Sequence, residues 1–98
     1  MSYDVFFNNR TFNITSNITP MTKAAGLYLP DLHGLTGAQA QPRLASCLMY
    51  LTNYNNSRSL RKLEPINGWG TLEHTITFLT RLYFTLNEDL DQVIGVHS

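Results

Sequence analysis

The chain reads as an α+β fold in the order ββαααβ, an N-terminal β-hairpin and a C-terminal strand forming a small sheet packed by about three helices. Three observations lead there: two aromatic and β-branched runs around Asn8-Asn9, a strong helical periodicity after Thr71, and a short β-branched run close to the C-terminus.

Tyr3–Phe7 and Arg10–Ile14 are the two strands of the hairpin. Asn tolerates the positive φ that both central residues of a type I′ turn need. Pairing across the turn sets Phe7 opposite Arg10, Val5 opposite Phe12 and Tyr3 opposite Ile14, which makes one face almost wholly apolar. Asp4, Thr11 and Asn13 fall on the other face, with Phe6 as the exception. A short helix is expected over about 18–28, where Ile18, Met21, Ala25 and Tyr28 recur at helical spacing. Asn17 or Thr19 would cap it, Pro20 suits its first turn, and Gly26 lies near its end.

The stretch from Leu29 to Gly37 contains Pro30, Asp31, Gly34 and Gly37 and reads as a loop. A second helix is expected over about 38–54, with Leu44, Cys47, Leu48, Leu51 and Tyr54 on one stripe and Pro42 in the first turn. Asn53, Asn55, Asn56 and Ser57 break it. A helical turn over Ser59–Leu63 follows, ending before Pro65. The third helix carries Leu72, Ile76, Leu79, Tyr83 and Leu86 at four- and three-residue steps, widened by Phe78 and Leu82. Thr71 or Gly70 caps its start and Asn87 suits its stop. Gln92–His97, with Val93, Ile94 and Val96, reads as the last strand.

The 98 residues are one domain, 1–98, with 43% apolar side chains, enough for a modest core. A core of that size leads us to expect self-association into a homo-oligomer. Seven basic and seven acidic side chains cancel. Arg58, Arg61 and Lys62 form the one basic cluster and read as a solvated helix face, so direct nucleic-acid binding is not expected. Cys47 lies in an apolar helical pattern and reads as a small buried hydrophobe. The first residues lack a basic and apolar leader pattern, and no apolar run reaches membrane-spanning length. The expected setting is therefore cytoplasmic, and the Asn-Xaa-Ser/Thr tripeptides are not expected to be glycosylated.

No catalytic or cofactor signature stands out. His33, His74 and His97 fall in different elements with no cysteine pair, so no metal site and no cofactor are expected. Gly68-Trp69-Gly70 is too short for a phosphate loop. Ser46, Ser57 and Ser59 lack a nucleophile elbow, and Asp4, Asp31 and Glu73 have no spacing that pairs them with His74.

Two polar segments are the candidate site. Asn13-Ile14-Thr15-Ser16-Asn17 marks a strand-to-helix handover, where Asn13, Thr15 and Asn17 could bind a polar ligand beside free helix-start N–H groups. The alternative is that they cap the helix and satisfy turn backbone. Pro65-Ile66-Asn67-Gly68-Trp69-Gly70 places a large flat ring on a sharp turn. Trp69 either plugs a core edge or anchors a ligand or partner, with Asn67 beside it. His74, Thr77 and Arg81 share the polar face of the following helix, so His74 and Arg81 could both touch an anion, although a solvated face has the same pattern.

Taken together, Phe12-Asn13-Ile14-Thr15-Ser16-Asn17, Met21, Ala25-Gly26-Leu27-Tyr28, Pro65 and Asn67-Gly68-Trp69-Gly70 resemble a family of small, uncharacterised proteins of tailed bacteriophages and prophages. Its members commonly carry an Asn-Ile-Thr-His-Asn segment early and an Asn-Gly-Trp-Gly segment late. Ser16 stands where many have His, so a site using that imidazole does not transfer. The resemblance implies a phage accessory protein in the bacterial cytoplasm and no particular reaction. The expectation is a non-catalytic binding protein, a candidate host-defence antagonist. It would sequester a small anionic, nucleotide-like ligand through Asn13, Thr15, Asn17, Asn67, Trp69, His74 and Arg81, or bind a host protein. The alternatives are a small enzyme acting on a phosphorylated molecule, with His74 as acid–base and Arg81 as anion clamp, or a minor virion or assembly protein.

Overall fold

A computed structural model describes residues 1–98. Strands β1 (Ser2–Phe7) and β2 (Arg10–Thr15) form the hairpin, and helices α1 (Thr19–Ala24), α2 (Gly37–Thr52), α3 (Tyr54–Arg61) and α4 (Leu72–Glu88) precede the last strand, β3 (Gly95–His97). The sheet is antiparallel, ordered β2-β1-β3. The α+β class and the hairpin-plus-strand sheet hold, with one helix more than the sequence suggested.

The hairpin register is the expected one, pairing Phe7 with Arg10, Val5 with Phe12 and Tyr3 with Ile14. Asn8 and Asn9 have φ of 50° and 64°, the left-handed pair that a type I′ turn requires. Tyr3, Val5 and Phe7 are buried under the helices, with Phe12, Ile14 and Val96 packed against the same core. A charge at Phe12 therefore meets that core, whereas Thr11 is exposed. Phe12→Asp is expected to lower stability by about 2 kcal/mol. Thr11→Asp should change it by less than about 0.5 kcal/mol. Equal urea midpoints for the two variants would contradict the register.

Several boundaries move, each for a local reason. The first helix is shorter, Thr19–Ala24, and a 3₁₀ turn over Ser16–Ile18 precedes it. Thr15, rather than Asn17 or Thr19, caps that entry by accepting the Asn17 N–H. The region read as a loop contains a 3₁₀ turn, Leu29–Leu32, whose Leu29 and Leu32 are buried. Helix α2 begins at Gly37, because Thr36 and Gln39 form a reciprocal capping box. Pro42 thus sits inside α2 rather than in its first turn. There it cannot donate to the Ala38 carbonyl.

The asparagine-rich break is itself a helix start. Asn53 Oδ1 accepts the Asn55 N–H and launches α3, leaving Tyr54 88% exposed instead of on the α2 stripe. The last strand contracts to Gly95–His97, and Val93 makes only an isolated bridge to Thr36.

Leu44, Cys47 and Leu51 of α2 and Leu79, Leu82 and Leu86 of α4 are buried, and these two helices pack together over the sheet. Burial pushes the Cys47 thiol up to about 12, which keeps it a hydrophobe. The buried Thr75 and Thr85 donate back to the Thr71 and Arg81 carbonyls within α4, so neither hydroxyl is orphaned. No helix is long and apolar enough to cross a membrane.

Candidate functional site

The two polar segments meet. Asn17 Nδ2 donates to the Trp69 carbonyl at 3.4 Å, across 52 residues of sequence. Gly70, at φ 91°, lies so close to the first segment that a Cβ there would sit 2.8 Å from Thr15 Cγ2 and 3.2 Å from Ile18 Cγ2. Glycine is needed for both reasons, the backbone conformation and the close approach.

Their union builds a continuous groove between β2 and α4. One part, about 440 Å³, is lined by Thr11, Phe12, Asn13 and Ile14 on the strand and by His74, Thr77, Phe78 and Arg81 on the helix. The adjoining part, about 300 Å³, shares Asn13, Ile14 and His74 and ends at Thr15, Trp69 and Gly70. Neither part has a carboxylate in its lining. His74 and Arg81 are seven residues apart on α4, so the helix wall runs for about 10 Å between them.

The candidate residues divide by what already holds them. Thr15 caps the helix entry, and Asn17 ties the segments together. Asn67 Oδ1 accepts the Trp69 N–H in an Asx turn that shapes the loop. Asn13 Nδ2 donates to Asp4 Oδ1 at 2.8 Å and to Ser2 Oγ at 3.2 Å across the hairpin, leaving its own carbonyl oxygen uncommitted. The indole of Trp69 does not plug the core; the residue is 70% exposed at the end of the groove. Arg81 makes no ion pair, whereas Arg10 meets Glu88 and Arg61 meets Glu64 and Glu73.

His74 has a structural task. Thr71 and His74 form a capping box, in which Thr71 Oγ1 accepts the His74 N–H and His74 Nδ1 accepts the Thr71 N–H. That acceptance requires the neutral tautomer with its proton on Nε2, so the ring offers the groove a donor. General-base use of Nε2 would need the other tautomer and would break the cap. Glu or Gln is the usual partner at this position of the box, so His74→Gln should keep stability. His74→Ala should lose about 0.5–1 kcal/mol in thermal unfolding.

At the helix start beside Asn17, and at the start of α4, one N–H group each is already taken by a side chain. Asn17 N–H is taken by Thr15, and Leu72 N–H donates to Glu64 Oε2 at 2.7 Å. Glu64 also pairs with Arg61, which bonds Glu73, so the end of α3 is clamped to the start of α4. This role of Glu64 was missed in the sequence; its only signal was an acid just before the Pro65 turn. The Arg61 hydrogen bond holds the Glu73 carboxyl below its ordinary range, and Glu73 in turn raises the Arg61 pKa. A depressed carboxyl stabilises the fold above its unfolded value, about 4.3, and that contribution is lost as pH falls through the folded pKa. The urea midpoint should therefore drop more between pH 7 and pH 3 in the parent chain than in Glu73→Gln.

No three His, Cys, Asp or Glu side chains are grouped to hold a metal ion. His33 instead accepts the Val96 N–H through Nδ1 at 2.9 Å, closing the outer edge of β3. Compared with known proteins, the chain matches no family model, no curated protein and no solved structure.

Proposed function

We propose that the chain is a non-catalytic binding protein whose site is the groove between β2 and α4, and that it captures a segment of a partner protein. The observation that carries this reading is an open groove with an apolar floor, an unpaired Arg81 and no carboxylate, beside which the Asn17 and Leu72 N–H groups are already bonded. A phosphate is best held by several convergent N–H groups, and here one guanidinium and one imidazole donor remain. That set suits a single carboxylate on a larger ligand. Exposed Trp69 at the groove end supplies the flat anchor common at protein interfaces.

The resemblance to tailed-phage accessory proteins supplies the setting, in which the partner is a host protein, such as a defence component, in the bacterial cytoplasm. A second reading, sequestration of a small nucleotide-like anion, is favoured by one feature: Trp69 and Arg81 lie along one continuous groove. The enzymatic reading is opposed by the cap that ties up His74 Nδ1.

A photo-crosslinking residue placed at Thr77, inside the groove, and another at Tyr54, outside it, test the proposal in host lysate. The expected result is one protein captured from the groove position and lost when Arg81→Glu is added. A stoichiometric nucleotide released on denaturing the purified chain, with no groove-specific protein, would favour sequestration instead. Native mass of the same preparation reads the self-association that a domain of this size leads us to expect.

A further inference from the structure

We infer that the partner segment binds as an extended strand added to the open edge of β2, and that it brings a carboxylate to Arg81. This rests on the groove being the binding site and specifies how it is filled.

The two edges of the sheet are treated differently. At β3 and at Ile94 just before it, outward backbone groups are taken: Val96 N–H donates to His33, Gly34 N–H to the Ile94 carbonyl, and Ile94 N–H to the Leu35 carbonyl. Along β2 nothing takes that place, because the strand order ends there. In an antiparallel ladder flanking a two-residue turn, Phe7–Arg10, Val5–Phe12 and Tyr3–Ile14 are the hydrogen-bonded pairs. The N–H and C=O groups of Thr11 and Asn13 therefore point away from β1, towards open space.

This edge also lacks the usual protections. It holds no proline, no lysine and no bulge, and its one charge, Arg10, is drawn off to Glu88. From Thr11 to Thr15 it offers about 13 Å of strand, enough for four or five paired residues.

Beside the edge lies the floor that an added strand needs. Phe12, Ile14 and Phe78 form an apolar trough beneath the position a neighbouring strand would occupy. Alternate side chains of the newcomer would enter this trough while its main chain bonds to Thr11 and Asn13, the arrangement by which edge-strand recognition separates affinity from specificity. The wall opposite is α4, with Arg81 and the Nε2 donor of His74 and no acid among the lining residues. Charge complementarity thus selects an acidic segment. A second copy of β2 would bring Arg10 and leave Arg81 unmatched.

Selection from a display library of random decapeptides, with the intact chain as target, tests the inference. Acidic sequences rich in β-branched residues are expected, and a synthetic copy of the strongest should bind Thr11→Pro roughly tenfold more weakly, the loss of about one good hydrogen bond with its register. Proline is tolerated where an edge N–H faces outward, so the hairpin ladder survives the substitution. If Thr11→Pro does not fold, the same peptide N-methylated at alternate amides decides the matter: one methylation register abolishes binding and the other leaves it intact.

Binding that ignores Thr11→Pro and both methylation registers, yet falls with Arg81→Ala, overturns strand addition while keeping the groove as the site. Binding that ignores Arg81→Ala as well overturns both. Failure to enrich any sequence, or enrichment of basic or helical ones, overturns the inference.

Discussion

Replacing Gly70 by alanine is expected to lower stability by about 3 kcal/mol and to part the two halves of the groove. Two costs add. The left-handed backbone, φ 91°, penalises any Cβ by about 1–2 kcal/mol. The new methyl would also lie 2.8 Å from Thr15 Cγ2 and 3.2 Å from Ile18 Cγ2, and overpacking of this kind costs about 1–3 kcal/mol. Gly68 is the internal control. It has φ 77° but meets nothing within 4 Å, so Gly68→Ala should cost only the backbone share. Urea denaturation of the two variants measures the difference. Equal losses would mean that the loop does not rest on the Thr15–Ile18 turn.

Charge reversal at Arg81 is the second large effect, expected to weaken ligand capture by about 100-fold, near 2.7 kcal/mol. Under the proposed capture Arg81 anchors a carboxylate in a groove whose lining contains no acid, and Glu in its place repels what it should attract. Arg81→Ala should fall between parent and Arg81→Glu, because it removes attraction without adding repulsion. The side chain makes no ion pair, so thermal unfolding should barely change in either variant. A binding loss that tracked a fall in stability would assign Arg81 to the fold instead.

Much of the fold was legible because local chemistry and face pattern agreed. Asn8-Asn9 dictated the turn, and the turn dictated which side chains share a face. Helix α4 was legible from its apolar repeat. Of helix α3 only the end was, in the helical turn expected over Ser59–Leu63, since Tyr54-Asn55-Asn56-Ser57-Arg58 is polar and the helix buries only Leu60. A cap made by Asn53 and an outward-facing polar turn look, in sequence, like a breaker. The start of α2 was obscured for a related reason: Pro42 suggested a first turn, while the capping box at Thr36 and Gln39 set the true start upstream.

The candidate groove was half legible. Residue types picked out Asn13, Thr15, Asn17, Asn67, Trp69, His74 and Arg81, but not their division of labour. Thr15, Asn17 and Asn67 are spent on shaping the turn and loop at the groove end, and Asn13 is shared with Asp4. The convergence of the two segments depends on Gly70 fitting against Thr15, a tertiary fact with no local signature. The open edge of β2 was likewise invisible, because strand order is settled by where β3 docks.

Backbone amide shift mapping is the most direct test of the central claim that the groove between β2 and α4 is the binding site. A capped hexapeptide of alternating valine and glutamate, titrated into the labelled chain, is the probe. Saturable shifts at Thr11, Asn13 and Trp69 and along His74 to Arg81, absent in Arg81→Glu, are the predicted result. Shifts gathered instead around the exposed Met49, Tyr50 and Tyr54, with the groove silent, would contradict it.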